Sequence, residues 1–69
     1  MQEEFKIEGD YIELMQFLKA IGLAQTGGHA KMIVDSEMVM RDGEVELRRR
    51  AKLRAGEMIQ IRDQVYNLK

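Results

Sequence analysis

The stretch Met38-Val39-Met40-Arg41-Asp42-Gly43-Glu44-Val45-Glu46-Leu47-Arg48-Arg49-Arg50-Ala51-Lys52-Leu53-Arg54 joins a turn signal to a basic run. Asp42-Gly43 is the dipeptide that most strongly marks a two-residue β-hairpin, because both central positions need a backbone conformation that Gly and Asp tolerate. The flanking segments 38–41 and 44–47 are then its strands. Their pairing sets Met40 opposite Val45 and Met38 opposite Leu47 on the buried side, and it leaves Arg41 opposite Glu44 as an exposed charge pair. Directly after the hairpin come five cations, Arg48, Arg49, Arg50, Lys52 and Arg54, interrupted only by Ala51 and by Leu53, which is expected to anchor the loop. Planar guanidinium groups can bond two phosphate oxygens together, whereas lysine supplies a less directional charge. Contacts of that kind hold a nucleic-acid backbone and read no bases. By itself, such a run serves equally well as a solvated face.

Working toward the N-terminus, Thr26-Gly27 offers a helix start, and Ala30, Ile33 and Val34 follow as an apolar stripe. An earlier helix is expected from about Tyr11 to Ile21, with Asp10 as its cap, Glu13 as the partner three residues on, and Leu14, Phe17, Leu18 and Ile21 at helical spacing. Gly22 supplies its stop. Alternation in Glu4-Phe5-Lys6-Ile7-Glu8 suggests a first strand. Toward the C-terminus, Glu57 to Arg62 reads as a strand with Ile59 and Ile61 facing inward, and Val65, Tyr66 and Leu68 suggest a last one. The five methionines Met15, Met32, Met38, Met40 and Met58 fall among apolar periodic segments and are read as core filling.

A length of 69 residues with 45% hydrophobic content is expected to make one domain, residues 1–69, too small for a second core or a large internal cavity. No cysteine is present, which removes disulfides and thiolate chemistry and suits a reducing, cytoplasmic setting. No apolar run approaches the ~20 residues of a membrane span, and the acidic start lacks a secretory core, so no membrane association is expected. The net charge of −1 hides an asymmetry: residues 1–40 carry three lysines against seven carboxylates, and residues 41–69 carry eight Lys or Arg against five. Over a Debye length of roughly 8–10 Å that distribution, more than the total, decides what a surface attracts.

The series Tyr11-Ile12-Glu13-Leu14, Phe17-Leu18-Lys19, Gly22-Leu23, Thr26-Gly27-Gly28, Ala30-Lys31, Val39, Asp42-Gly43, Arg48-Arg49, Lys52-Leu53 and Gly56-Glu57 resembles the S4 RNA-binding domain over most of the chain. It is similar in particular to the small stand-alone bacterial subgroup of YaaA-like and YbcJ-like proteins. There a glycine pair and Ala-Lys open the second helix, and an Arg-Arg pair follows the hairpin. The resemblance implies an α+β fold, the alpha-L RNA-binding motif, with two short helices packed on a small, mostly antiparallel sheet. It also implies a non-catalytic RNA-docking module; the expected partner is a structured RNA, ribosomal or transfer RNA above others, and the expected state is a cytoplasmic monomer without cofactors. The wider family carries Ser-Arg at the opening of the second helix and Arg ahead of the first; here these positions read Thr26-Gly27 and Tyr11. A glycine that often ends the second helix is Glu37, and a common valine before the turn is Arg41.

The expected RNA-binding set is therefore Gly27, Gly28, His29, Lys31, Arg48, Arg49, Arg50, Lys52 and Arg54. Gly27 and Gly28 would present free N–H groups at a helix N-terminus, where the dipole favours anions. Lys31 stands one turn further on, and His29 is a candidate for stacking or phosphate donation. Tyr11 and Tyr66 are candidates for base stacking but are more commonly packing residues. One His, one Ser and one Thr make no nucleophile–base spacing, and scattered carboxylates make no paired-acid or metal-ligand motif, so neither catalysis nor a metal site is expected. The alternative is a protein-interaction adaptor docking ribosomal or RNA-processing proteins through exposed methionines and the arginine loop.

Overall fold

The computed structural model describes residues 2–69, in the order β1 (Gln2–Phe5), β2 (Ile12–Glu13), α1 (Leu14–Ala20), α2 (Gly27–Asp35), β3 (Val39–Arg41), β4 (Glu44–Val45), β5 (Lys52–Leu53), β6 (Met58–Ile61) and β7 (Gln64–Leu68). Five strands form one sheet in the order β1-β7-β6-β3-β4, and β2 pairs with β5 as a separate ribbon. Among the described residues only β1 with β7 is parallel; the other pairings are antiparallel. This is the α+β arrangement expected from the resemblance, two helices against a mostly antiparallel sheet.

Asp42 and Gly43 both take positive φ, 50° and 90°, so the turn between β3 and β4 forms as its dipeptide dictates and sets Met40 opposite Val45 and Arg41 opposite Glu44. The carboxylate of Asp42 also accepts the Met58 N–H at 3.0 Å, tying the turn to β6. The expected burial of this hairpin is inverted. Val39 is fully buried, Val45 and Leu47 are exposed, and Arg41 lies on the inner face. The cause is β6, which pairs with the other edge of β3 and sets Val39 against Ile61 and Arg41 against Ile59. Because Ile59 and Ile61 face the helices, their partners must do so as well.

The first helix begins at Leu14, three residues later than its apolar spacing suggests, with Glu13 and not Asp10 as the cap. Ile12 and Glu13 are taken by strand pairing with Leu53 and Lys52. A capping box between Glu13 and Gln16 then opens the helix, Glu13 N–H donating to Gln16 Oε1 at 3.4 Å. Gly22, at φ 81°, ends it as expected. Thr26 caps α2 by accepting the His29 N–H on its hydroxyl at 3.1 Å. Ala30, Ile33 and Val34 face the core. The centre of the core is Phe17, edge-on to Phe5 at 5.0 Å and to Tyr66 at 5.3 Å between ring centroids. Of the methionines, Met15 and Met38 pack against this core, whereas Met32 and Met58 are exposed, a departure from the core role expected of all five. Met32 occupies the solvent side of α2, and Met58 points to the outer face of the sheet because its neighbour Ile59 points inward.

Candidate nucleic-acid interface

The basic segment is held by its own backbone. The N–H groups of Leu14 and Met15, in the first turn of α1 and without partners inside the helix, donate to the carbonyls of Ala51 at 2.9 Å and Arg49 at 3.2 Å. Ala51 and Leu53 are buried, so the side chains between and beside them are forced outward. The loop thus sits at the N-terminus of α1, clamped at alternate residues.

Both ends of the loop are further joined by Arg41, a residue outside the expected set. Its guanidinium donates to Glu57 from Nε and Nη2, each at 2.8 Å, to Glu46 from Nη1 at 3.1 Å, and to the Lys52 carbonyl from Nη2 at 2.9 Å. Glu46, itself buried, accepts the backbone N–H of Arg48 at 3.1 Å as well as its side chain. The hydrogen-bonded Arg48 guanidinium, with the Arg48 N–H and Arg41, outweighs burial and holds the Glu46 carboxyl down at about 2. Arg41 and Glu46 are therefore structural ions that shape the loop. A charged residue on the same strand face as the buried Val39 was the signal that could have revealed this, because an inward arginine needs carboxylates.

Three of the loop arginines meet carboxylates from three different parts of the chain. Arg48 pairs with Glu46; Arg49 makes a two-point pair with Asp35 at the end of α2, at 3.2 and 2.9 Å; Arg50 reaches Glu13 at 3.3 Å. The Arg49 hydrogen bond is the main cause of a lowered Asp35 pKa, and Lys31 adds to it from one helical turn away. Lys31 and the loop consequently share one flank of α2. Arg48 and Arg50 keep most of their side-chain surface in solvent, and with Arg41, Ala51 and Lys52 they line an open depression of about 440 Å³. Lys52 and Arg54 lie over the ring of Tyr11, Nζ at 5.0 Å and Cζ at 5.7 Å from its centroid.

Gly27 and Gly28 stand at the first two positions of α2, before the helix-opening bond from Ala30 N–H to the Thr26 carbonyl. A methyl group at Gly27 would lie 3.8 Å from the tip of Met15, an ordinary contact, so packing does not demand glycine there. His29 follows Gly28 directly, but its side chain lies on the flank of α2 away from Lys31. It lines a depression of about 230 Å³ with Met32, Ile33, Ser36, Met38 and Arg62, and at 100° per residue it points roughly opposite to Lys31. Among the described residues no group of three or more His, Cys, Asp or Glu is placed to hold a metal ion.

A helix pair, an Asp-Gly hairpin and a clamped basic loop within one small α+β fold coincide with a family match: the family model for the S4 domain covers residues 5–69. The chain belongs to the S4 domain family. A search of curated proteins finds no match. S4 domains are RNA-binding modules and are generally non-catalytic, so RNA binding in the general sense follows from membership. Among the described residues of this S4 domain, no helix is long and apolar enough to cross a membrane.

Proposed function

We propose that this S4 domain binds structured RNA, ribosomal or transfer RNA, through backbone phosphates contacted by Arg48, Arg49, Arg50, Lys52 and Arg54, with Lys31 and the N–H groups of Gly27 and Gly28 extending the surface. The observation that carries this reading is the clamping of the loop: backbone bonds to Leu14 and Met15 and the Arg41 guanidinium fix its course while its cations project into solvent. Preorganised cations lose little freedom when a phosphate arrives. His29, on the opposite flank of α2, contributes at most an outlying contact. We read the protein as a single cytoplasmic domain over residues 1–69, monomeric and without catalysis or cofactor of its own.

If five loop cations each neutralise a phosphate, log K falls with log salt at a slope of roughly −3.5 to −4.5, about a hundred-fold loss or more between 50 and 200 mM. The double substitution Arg49→Glu with Arg50→Glu abolishes binding and leaves the circular dichroism spectrum unchanged. A flat salt titration sinks the proposal. A second reading, an adaptor for ribosomal or RNA-processing proteins, is favoured by Leu47 beside the arginines and Met32 on α2, both more than half exposed. Purification with and without ribonuclease separates the two: co-purifying RNA supports the first reading, and protein retained after digestion supports the second.

A further inference from the structure

The ribbon of β2 and β5 turns one face to the core and the other to solvent. Ile12 and Leu53, paired across it, face inward; Leu53 is fully buried and Ile12 packs against the core. By alternation, Tyr11 and Glu13 on one side and Lys52 and Arg54 on the other point outward together. The antiparallel register that sets Ile12 against Leu53 and Glu13 against Lys52 brings Tyr11 to the level of Arg54. Tyr11 is 39% exposed, and its ring also borders a depression of about 290 Å³ with Phe5, Lys6, Glu8, Ile12 and Gln16. An exposed aromatic ring thus stands between the cations Lys52 and Arg54 and an open hollow. Tyr66, the other tyrosine, sits within the sheet and packs edge-on against Phe17.

We propose that Tyr11 is a stacking residue for an unpaired nucleobase, with Lys52 and Arg54 holding the phosphates that flank it; this rests on the RNA-binding reading above. The combination fits a nucleotide better than any purely ionic or apolar ligand. A base offers a flat π-face to the ring, and its backbone offers anions to the neighbouring cations. A paired stem keeps its bases stacked inside the helix and can use only the cations. The ribbon therefore directs this S4 domain toward an RNA in which a stem meets a loop, bulge or single-stranded end, the stem on the clamped arginines and the unpaired base on Tyr11.

The test compares wild type, Tyr11→Phe and Tyr11→Ala for binding to two RNAs sharing one stem: a hairpin with an unpaired loop, and a blunt duplex. Tyr11→Phe keeps both affinities. Tyr11→Ala weakens hairpin binding by at least about fivefold, the low end of what a base–aromatic stack contributes, and changes duplex binding less than twofold. In a Tyr66→Phe background, which leaves Tyr11 as the one tyrosine of a chain without tryptophan, the hairpin quenches tyrosine emission and the duplex does not. Equal weakening toward both RNAs, or no weakening toward either together with unquenched emission, overturns the stacking assignment and leaves general RNA binding standing. Failure of the wild type to bind either RNA overturns both.

Discussion

Arg41 and Glu57 are joined at two points, Nε to Oε1 and Nη2 to Oε2, both at 2.8 Å. Because the same guanidinium also reaches Glu46 and the Lys52 carbonyl, one side chain links the end of β3, both ends of the basic loop and the start of β6. Removing it takes the two-point partner from Glu57, which the fold has partly withdrawn from water, and leaves Glu46 with Arg48 alone. Arg41→Ala is expected to cost about 2–3 kcal/mol in urea denaturation, the usual loss when a partly buried charge is left without its partner. Arg41→Lys should recover less than half, since an ammonium cannot reproduce the two-point geometry. RNA affinity should fall in parallel with loop order.

Glu46 ties the fold to pH. Its carboxyl lies at about 2 in the folded protein against an ordinary value of 4.5, so the unfolded chain binds the proton more readily. The stabilisation is fully present above about pH 4.5 and is lost as pH falls toward 2. Thermal melts between pH 6 and pH 2 should show a steep acid limb in the wild type. Glu46→Gln should flatten that limb while lowering stability at neutral pH; an unchanged acid limb would contradict the role given to Glu46.

On the proposed reading, Asp35 holds an arginine that RNA would also claim, Arg49. The pair is nearly half exposed on both sides, so its loss should leave the urea midpoint almost unchanged. Asp35→Asn releases the guanidinium and removes a negative charge beside Lys31. The expected outcome is a several-fold gain in RNA affinity, measured by equilibrium titration at fixed salt. A drop would mean that the pair positions Arg49 for binding.

Glu37 follows the end of α2 with φ 61°, a left-handed conformation that L side chains adopt at a cost of about 1–2 kcal/mol. Gly22 holds the equivalent place after α1 without that penalty. Glu37→Gly should therefore stabilise the protein by about 0.5–1 kcal/mol, part of the relief being offset by the greater freedom of glycine in the unfolded chain. Chemical denaturation with an unchanged m-value would establish it.

Features decided by short-range chemistry could be read along the chain. The Asp42-Gly43 turn, the Thr26 cap, the Gly22 stop and the inward isoleucines of β6 each depend on a residue and its near neighbours, and each stands as expected. Clustering of cations between Arg48 and Arg54 was legible in the same way. The errors arose where a distant segment competed for the same groups. Ile12 and Glu13 have the spacing of a helix start, but Leu53 and Lys52 claim their backbone, so α1 begins late.

Hairpin pairing was legible from the turn, whereas the buried side of the hairpin was not. A turn aligns two strands with each other but cannot say which face meets the helices; β6, from the other edge of β3, decided that Val39 and Arg41 turn inward. The same choice drew Glu46 and Glu57 in as partners for the guanidinium. It also brought Asp35 and Glu13 beside Arg49 and Arg50, and set Tyr11 under Lys52 and Arg54. Composition and order along the chain were enough to say that a basic loop follows a hairpin. Which of its arginines meet carboxylates and which lysine flanks a tyrosine are matters of through-space distance. Such distances exist only once strands far apart in sequence have paired and the faces of the sheet have been assigned.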